Sequence, residues 1–398
     1  MQMPSKSNHI VQGQGWIWRY SALIATVFCL LGATLVACKS GDVKPETVSE
    51  AAMHRANAAR TGLYLTDGPT EYKNIKWQFE ADDWIFGAPA ILGDTVYFSS
   101  YDGNVYAADR ETGAEKWRYA TGDVIIASPA VADGTVYIAN MGGLIVALDS
   151  KTGDERWQQD IGAGLSGSAA VVDGVAYFTS ENGLLVALDG QTGTEKWRFQ
   201  IPDTVIAFSP AVADDVVYAA VSNGILYALD ATTGKELWTY SPNTEDNVYS
   251  PTADPVVDNG VVYFMTSDIN LIGVLHAVDI ESHQARWRFE SSTENFSAPS
   301  IKDGILIWGG LDKRLYGVSA DSGETLWTFQ TQDIIFSAPA IAGDTVYFGS
   351  LDKNLYAIDI RTGNQRWQFR AESGVSSPAV ADGVVYVGTE DGALYAIQ

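Results

Sequence analysis

The 398-residue sequence contains very little cysteine and histidine. Its two cysteines, Cys29 and Cys38, both lie near the N-terminus. The remainder of the chain therefore has no disulfide, no thiol chemistry and no cysteine-ligated metal site. The histidines beyond the N-terminal region, His54, His276 and His283, lack the short spacing that metal sites use.

Positive charge is also scarce, because 25 Lys and Arg stand against 49 Asp and Glu. Two of the positive residues, Lys6 and Arg19, lie in the N-terminal leader, so the part after it carries 23 against 49, or −26. A surface of this sign repels nucleic acid and anionic lipid headgroups. Both are therefore excluded as main partners, although acidity alone names no ligand.

The chain opens with a positively charged region and an apolar run from Ala22 to Ala37. This order is typical of a secretory signal, and its end, Leu35-Val36-Ala37-Cys38, resembles a bacterial lipobox. We expect residues 1–37 to be a lipoprotein signal peptide and Cys38 to be lipidated, with palmitate among its acyl chains. An uncleaved anchor is the alternative, because the run is nearly long enough to span a bilayer.

Lys39 stands where lipoproteins retained at the inner membrane of enteric-type bacteria have aspartate. This predicts an exported, membrane-anchored protein facing the periplasm or cell exterior, at the outer membrane if the source has one. Residues 38–74 are expected to form the lipidated cysteine and a polar tether or arm. Within them Met53–Gly62 has no periodic apolar face, so it is either a surface arm or a functional one.

A motif of the form Asp-x-x-Thr-Gly-x-x-x-Trp, as in Asp149–Trp157, recurs along the rest of the chain. Its tryptophans are Trp77, Trp117, Trp157, Trp197, Trp238, Trp287, Trp327 and Trp367. They are separated by 40, 40, 40, 41, 49, 40 and 40 residues. A period of this size indicates a repeat architecture.

Each repeat contains four short apolar runs separated by Gly, Asn or Asp turns, which predicts four antiparallel strands. Gly153 supplies the positive φ of a tight turn, and Asp149 can accept hydrogen bonds from the N–H groups of that turn. Ala147 is expected to leave room for a tryptophan of the neighbouring repeat. Because these residues recur, we predict that they are structural and that the tryptophans dock the repeats together.

The repeats close into a ring. First strands begin at Pro89, Pro129, Ala169, Pro210, Pro255, Pro299, Pro339 and Pro378. The last repeat stops at Gln398 without its tryptophan strand, whereas Ile75–Phe79 is a tryptophan strand without a preceding repeat. The sequence therefore predicts an all-β fold over residues 75–398: an eight-bladed β-propeller of four-stranded antiparallel blades, closed by pairing the N-terminal strand with the C-terminal blade.

The run Ala-x-Asp-x-x-Thr-Gly-x-x-x-Trp resembles the tryptophan-docking motif of pyrroloquinoline-quinone (PQQ) repeats over roughly residues 75–398. Gly317, Ser319 and His283 replace the motif's Ala, Asp and Gly in single copies. Two groups share these repeats: quinoprotein dehydrogenases, and non-catalytic propellers such as the BamB family of outer-membrane β-barrel assembly lipoproteins.

The resemblance favours the second group. Quinoprotein dehydrogenases are longer, many stack a vicinal cysteine pair on the cofactor, and the family holds calcium or a lanthanide beside the quinone. This chain lacks the cysteine pair, and no Glu/Asn/Asp set can be carried over. We expect no cofactor; PQQ with calcium belongs to the alternative.

The regular pattern breaks most strongly in the fifth blade, which has 49 residues between tryptophans instead of 40. Additions near residues 239–254 and 267–273 should meet on one face. They give a candidate partner-binding patch of Glu245, Asp246, Asn247, Tyr249, Asp268 and Asn270. Neutral loop variation is the alternative, and no Asp-x-Asp-x-Asp-Gly spacing supports a metal site.

A second irregularity lies three residues before the start of each first strand. There Phe296, Phe336, Val375, Phe86 and Ile126 form an apolar arc over blades six, seven, eight, one and two, whereas Ser166 and Ala207 are small. If the position faces the axial funnel, the arc could hold an extended chain or a flat apolar ligand; otherwise it plugs the channel. Trp84, present in one blade only, could extend this surface.

Together these features predict a monomeric, lipid-anchored, non-catalytic propeller that acts as a protein-binding scaffold in the cell envelope. Its expected partners are envelope proteins, including β-barrel assembly components or extended polypeptides. A PQQ-dependent dehydrogenase or another small-ligand propeller is the alternative.

Overall fold

The computed structural model describes residues 51–202, 208–244 and 247–398. This part of the chain contains eight β-sheets and no helix, and so no helix that could cross a membrane. The predicted eight-bladed propeller is confirmed. The predicted signal peptide and Cys38 lie outside the described residues.

The first four blades each contain four antiparallel strands in chain order. Blade 1 comprises Ala90–Leu92, Thr95–Ser99, Asn104–Asp109 and Glu115–Ala120. Blade 2 comprises Ala130–Ala132, Thr135–Ala139, Leu144–Asp149 and Glu155–Asp160. Blade 3 comprises Ala170–Val172, Val175–Thr179, Leu184–Asp189 and Glu195–Gln200. Blade 4 comprises Ala211–Ala213, Val216–Ala220, Leu226–Asp230 and Glu236–Tyr240.

The remaining blades repeat this plan. Blade 5 comprises Val256–Asp258, Val261–Ser267, Gly273–Asp279 and Ala285–Glu290, with an extra strand Ser250–Pro251. Blade 6 comprises Ser300–Lys302, Ile305–Gly309, Arg314–Ser319 and Thr325–Gln330. Blade 7 comprises Ala340–Ala342, Thr345–Gly349, Asn354–Asp359 and Gln365–Arg370. Blade 8 comprises Ala379–Ala381, Val384–Gly388 and Ala393–Ile397, completed by Ile75–Glu80.

The ring closes as predicted. Ile75–Glu80 pairs antiparallel with Ala393–Ile397, and Phe79 lies opposite Leu394. The backbone N–H groups of Lys73 and Asn74 also donate to the carbonyl of Gln398, at 2.7 and 3.0 Å. The strand from before the first blade therefore fills the edge that the last blade leaves open.

Two faces of the ring differ in their connections. We call the face with the fourth-to-first and second-to-third strand connections the loop face. The opposite face, with the first-to-second and third-to-fourth hairpins, is the turn face. The first strands of neighbouring blades contact one another, so they line the axis.

Each tryptophan docks on the turn of the next blade. A Cβ on Gly153 would lie 2.7 Å from the Trp117 ring, and Trp117 Nε1 donates to the Ser150 carbonyl at 3.1 Å. The expected role of Ala147 was wrong, because Ala147 pairs with Trp157 of its own blade. The small residue makes room for its own tryptophan, and the glycine makes room for the neighbour's.

The single-copy departures keep this packing. Gly317, in place of alanine, lies so close to its own Trp327 that a Cβ would reach 2.2 Å. His283, in place of glycine, adopts a φ of 58° and stacks on Trp238 with ring centroids 4.7 Å apart. The histidine ring thus replaces the close glycine contact by an aromatic one.

Residues 51–70 form an arm that runs through the centre of the ring. Ala51–Ala52 pairs with the first strand of blade 2, and Leu63–Tyr64 pairs in parallel with that of blade 7. Between and after them, arm oxygens accept hydrogen bonds from the first strands or first hairpins of other blades: Ala58 from Val212, Ala59 from Val257, Thr61 from Ile301, and Asp67 from Gly383. The arm therefore pairs inner edges that would otherwise be open.

The end of the arm also completes the tryptophan docking. Trp367 Nε1 and Tyr347 Oη both donate to the carbonyl of Pro69, at 2.8 and 2.9 Å. In blade 2 the equivalent Trp157 and Tyr137 share the Gly190 carbonyl. Pro69 thus replaces the turn that blade 8 lacks because its strands come from opposite ends of the chain.

Candidate functional site

An axial cavity of about 360 Å³ opens among the fourth-to-first connections of the loop face. Its lining includes four positions that the sequence places in the apolar arc, namely Phe86, Ile126, Phe296 and Phe336. Val375 is instead buried in blade 8 and is not part of the lining, while Ala207 lies outside the described residues. Most of the arc therefore faces one space at the ring axis.

Trp84 extends the apolar wall through an aromatic cluster. Its ring centroid lies 5.0 Å from that of Phe86 and 5.3 Å from that of Tyr101. Trp84 Nε1 donates to Ser376 Oγ at 3.1 Å. Because this bond ties blade 1 to blade 8, the cluster is held at one side of the cavity mouth; on the other side, Phe296 and Phe336 lie 6.1 Å apart.

The floor of the cavity is a chain of hydrogen bonds between blades. In blades 2 to 5 it is formed by the residue two positions before the first strand. Ser128 N donates to Ser168 Oγ, and Ser168 N donates to Ser209 Oγ, both at 2.9 Å. Ser209 N then donates to Asp254 Oδ1 at 2.8 Å. Short polar side chains at this position therefore link blades 2 to 5.

His54 of the arm closes this chain. Its Nε2 lies 3.1 Å from Asp254 Oδ2, and its Nδ1 lies 3.0 Å from Ser128 Oγ. A neutral imidazole that donates from Nε2 can accept from the serine at Nδ1. The floor's polar atoms are thus engaged with one another, and the sequence reading missed both His54 and Asp254.

Asp254 is the counter-charge of a buried basic pair. Arg60 is fully buried and donates to the carbonyls of Pro210 and Ser168, at 3.1 and 2.8 Å. Arg55, also buried, donates to Pro299 of blade 6. Burial lowers the pKa of Arg55 to about 9 and of Arg60 to about 10, with Asp254 opposing the change.

The same buried cluster shifts the pKa values of Asp254 and His54. Burial alone would raise the pKa of Asp254, but His54, Arg60 and Arg55 together lower it to about 2. Burial lowers the pKa of His54 below its ordinary value, although its hydrogen bond to Asp254 opposes this. At neutral pH the floor therefore holds an ionised carboxylate and a neutral imidazole.

Thr252 is the fifth-blade residue at the arc position and also lines the cavity. It is buried, and its hydroxyl oxygen has no hydrogen-bond partner. A buried hydroxyl without a partner is costly. The described lining thus contains two hydroxyl groups without a hydrogen-bond partner, the buried one of Thr252 and the half-buried one of Ser166, within an otherwise apolar or internally bonded surface.

The fifth-blade additions lengthen that blade on the loop face. Its second and third strands, Val261–Ser267 and Gly273–Asp279, have seven residues each, and Ser250–Pro251 pairs with Thr266–Ser267. At the hairpin end, Asp268 Oδ1 accepts from the N–H groups of Asn270 and Ile272, both at 2.9 Å. The described residues among these additions therefore form a hydrogen-bonded extension of the blade.

The predicted polar patch mostly holds this extension together. Tyr249 is buried and accepts from Asn247 Nδ2 at 3.1 Å, and Asn247 Nδ2 lies 3.4 Å from Asp268 Oδ2. Burial alone would raise the pKa of Asp268, but N–H donors from Ile272 and Asn270 hold it below its ordinary value. Glu245 and Asp246 lie outside the described residues.

The exposed groups of the extension are apolar. Val248, Ile269 and Leu271 are 57%, 68% and 60% exposed, and we call these three residues the fifth-blade tip. The sequence reading missed them because it searched the added residues for polar side chains. Sequence alone also does not show which apolar residues of the added loops are buried and which are exposed.

The described residues that line the axial cavity do not match the charge of PQQ with calcium. PQQ is a tricarboxylate, but among the described residues that line the cavity there is no lysine or arginine. The one acidic residue among them, Asp254, is already bonded to Ser209 and His54. The described part of the chain also contains no group of three or more His, Cys, Asp or Glu that could hold a metal ion.

The ring, the tryptophan docking and the axial cavity define an eight-bladed propeller of the PQQ-repeat class. A family model described as "Outer membrane protein assembly factor BamB" matches residues 69–164, 142–287, 272–369 and 311–398. The chain belongs to this family. A comparison with curated proteins finds no match.

Solved structures with the same fold include BamB, a designed protein and alcohol dehydrogenases. BamB from Moraxella catarrhalis has a TM-score of 0.68 at 20% identity, covering 82% of this chain and 97% of that one. A quinohemoprotein alcohol dehydrogenase from Comamonas testosteroni has a TM-score of 0.74 at 16% identity, covering 87% and 80%. The computationally designed Ika8 protein has a TM-score of 0.70 at 19% identity, covering 80% and 97%. At these identities the likeness concerns the fold alone.

Proposed function

We propose that the protein is a non-catalytic scaffold that binds other proteins in the cell envelope and takes part in outer-membrane β-barrel assembly. The carrying observation is the fifth-blade tip, where Val248, Ile269 and Leu271 are exposed on a hydrogen-bonded extension. Exposed apolar groups on a fixed backbone bury area on binding without a large ordering cost. Membership of the BamB family supports the envelope role.

The test compares two exposed leucines in a strain that lacks the chromosomal gene. Leu271→Asp alters the fifth-blade tip, whereas Leu326→Asp alters a similarly exposed leucine on the fourth strand of blade 6. The readout is the amount of folded, heat-modifiable β-barrel protein in the outer membrane. We expect Leu271→Asp to resemble the deletion and Leu326→Asp to restore assembly.

Equal behaviour of the two variants, or no loss of folded barrels in the deletion strain, would contradict the proposal. The enzymatic alternative is tested on purified protein mixed with PQQ and calcium. A PQQ-dependent absorbance change together with dye-linked alcohol oxidation would overturn the scaffold role.

Membrane attachment through Cys38 is part of the proposal, and so is location at the outer membrane if the source has one. Several acyl chains hold a protein at a membrane far more firmly than one. We expect Cys38→Ser to move the protein from the detergent phase to the aqueous phase of a Triton X-114 extraction. If the variant keeps the wild-type partition, the leader acts as an uncleaved anchor.

A further inference from the structure

We infer that the axial cavity and its acidic edge bind a cationic polypeptide segment that inserts one aromatic side chain, tyrosine or tryptophan, at the ring axis. The inference rests on the proposed function, because it names the chemistry of a protein partner. It concerns the cavity and not the fifth-blade tip, so the two can fail separately.

The cavity favours an apolar group because most of its polar lining is already bonded. Ser128, Ser168, Ser209, Asp254 and His54 satisfy one another around the floor. A charged group entering the cavity would lose its hydration without gaining a partner there. The walls offer aromatic and aliphatic surface instead.

The unpartnered hydroxyls of the lining narrow the choice of anchor. Ser166 is half-buried and has no hydrogen-bond partner in the described part of the chain, and Thr252 Oγ1 is buried without one. A tyrosine O–H or tryptophan N–H combines a large apolar body with one polar end, which phenylalanine lacks. A volume of about 360 Å³ is at the lower end of ligand pockets, so it suits a single large side chain better than an extended cofactor.

The charge at the cavity edge indicates which residues should flank the aromatic anchor in the bound polypeptide. The loop-face connections of blades 8, 1 and 2 contain no lysine or arginine. They contain seven carboxylates: Asp82, Asp83, Asp102, Asp123, Glu372, Glu390 and Asp391. None of the seven forms an ion pair within residues 51–202, 208–244 and 247–398.

This sector surrounds the Trp84, Phe86 and Tyr101 cluster, so lysine or arginine flanking the anchor would meet both carboxylates and aromatic faces. Blades 6 and 7 differ, because Lys313 there lies 3.6 Å from Asp333. Behind the floor, the charges of Arg55, Arg60 and Asp254 sum to one positive charge. This is smaller than the negative charge of the seven carboxylates that form no ion pair. The net field at the mouth therefore favours a cation.

The test titrates the full chain, purified in detergent, with three fluorescent peptides. The first has a central tryptophan and four lysines separated by glycines. The second has glutamates in place of the lysines, and the third has alanine in place of the tryptophan. We expect the first to bind about tenfold more tightly than either control, the loss typical of removing one buried anchor, and we expect the gap between the first two to shrink in 0.5 M salt.

Variants locate the site. Phe336→Ser should weaken the first peptide about tenfold. The double change Asp82→Asn with Glu372→Gln should weaken it about two- to fivefold at low salt, whereas Glu281→Gln with Glu324→Gln, which removes two charges from the turn face, should leave binding unchanged.

Equal or tighter binding of the glutamate peptide, no binding of the lysine peptide below about 1 mM, or an equal effect of the two double changes would overturn the inference. Leu271→Asp, as a variant outside the cavity, should bind the peptide normally. If the peptides fail but the Leu271 and Leu326 variants differ in cells, the proposed scaffold role stands without this site.

Discussion

Carboxylates at the repeated turns and carboxylates in one sector of the loop face differ in their partners. On the turn face, Asp149 pairs with Arg156 and Asp359 with Arg366, each at 2.7 Å, and both acids also accept N–H groups of their own turns. On the loop face, the seven carboxylates in the connections of blades 8, 1 and 2 form no ion pair in the described structure. These two turns are neutralised locally, whereas this sector of the loop face keeps its charge for other molecules.

The repeated tryptophans and the fifth-blade tip differ in their exposure. The turn-face tryptophans lie against the glycines of the next blade, and Trp117, Trp157 and Trp197 are buried. The loop face exposes the fifth-blade tip and Phe296. Repetition therefore builds a stable ring, and the departures from it provide surfaces for binding.

The largest expected loss of stability comes from the buried centre that separates the faces. Arg60→Met would leave the carbonyls of Pro210 and Ser168 without their donor and remove a counter-charge of Asp254. We expect the free energy of unfolding to fall by about 3–5 kcal/mol, measured by urea denaturation. Arg110→Met, which removes a surface pair with the exposed Asp382, should cost less than about 1 kcal/mol. A similar loss of unfolding free energy in the two variants would mean that the arm does not stabilise the ring.

The next effect tests tryptophan docking with two glycines of nearly equal φ. Gly153 has φ 74° beneath the Trp117 ring, whereas Gly174 has φ 72° with open space around its Cβ position. Gly174→Ala should cost only backbone strain, about 1–2 kcal/mol, whereas Gly153→Ala should cost about 1–3 kcal/mol more because Trp117 must move. Equal shifts in the urea midpoint would contradict the docking role.

The smallest effect concerns the ion pairs of the turn face. Arg366 and the surrounding donors lower the pKa of Asp359 to about 2, against an ordinary value of 3.8. Because the folded-state pKa is depressed, its contribution to stability is present above about pH 4 and is lost as pH falls towards 2. We expect Asp359→Asn to be less stable than wild type at pH 7, with the difference closing below pH 4 in unfolding followed by circular dichroism.

A suitable control for that profile is Asp123→Asn on the loop face. Its carboxylate accepts from the Val124 N–H and has no cationic partner in the described structure. If this variant loses as much stability as Asp359→Asn, pairing is not what distinguishes the two faces.

The fold could be predicted from the sequence because the informative residues recur. Eight tryptophans and their turns fixed the blade number, and the unmatched strand at Ile75 identified the closure. The position of the arm could not be predicted from the repeats. Residues 53–62 match no repeat, and Arg60 binds carbonyls more than 100 residues away, so no local pattern reveals its place at the axis.

The candidate site was only partly predictable. The apolar arc could be found by aligning blades, and four of its positions meet in the cavity. Asp254 could have been found in the same way, because the equivalent position holds serine or alanine in the other blades. The fifth-blade tip required the structure, because sequence alone does not show whether Tyr249 or Leu271 is the buried member of the added loops.

The most direct test of the loop face as the docking face is photocrosslinking in intact cells. A photoreactive residue is placed at Ile269 in one strain and at Leu326 in another, and the covalent products are identified. The account predicts an adduct with a component of the β-barrel assembly machinery from position 269 and none from position 326. An adduct with that machinery from position 326 alone would contradict it.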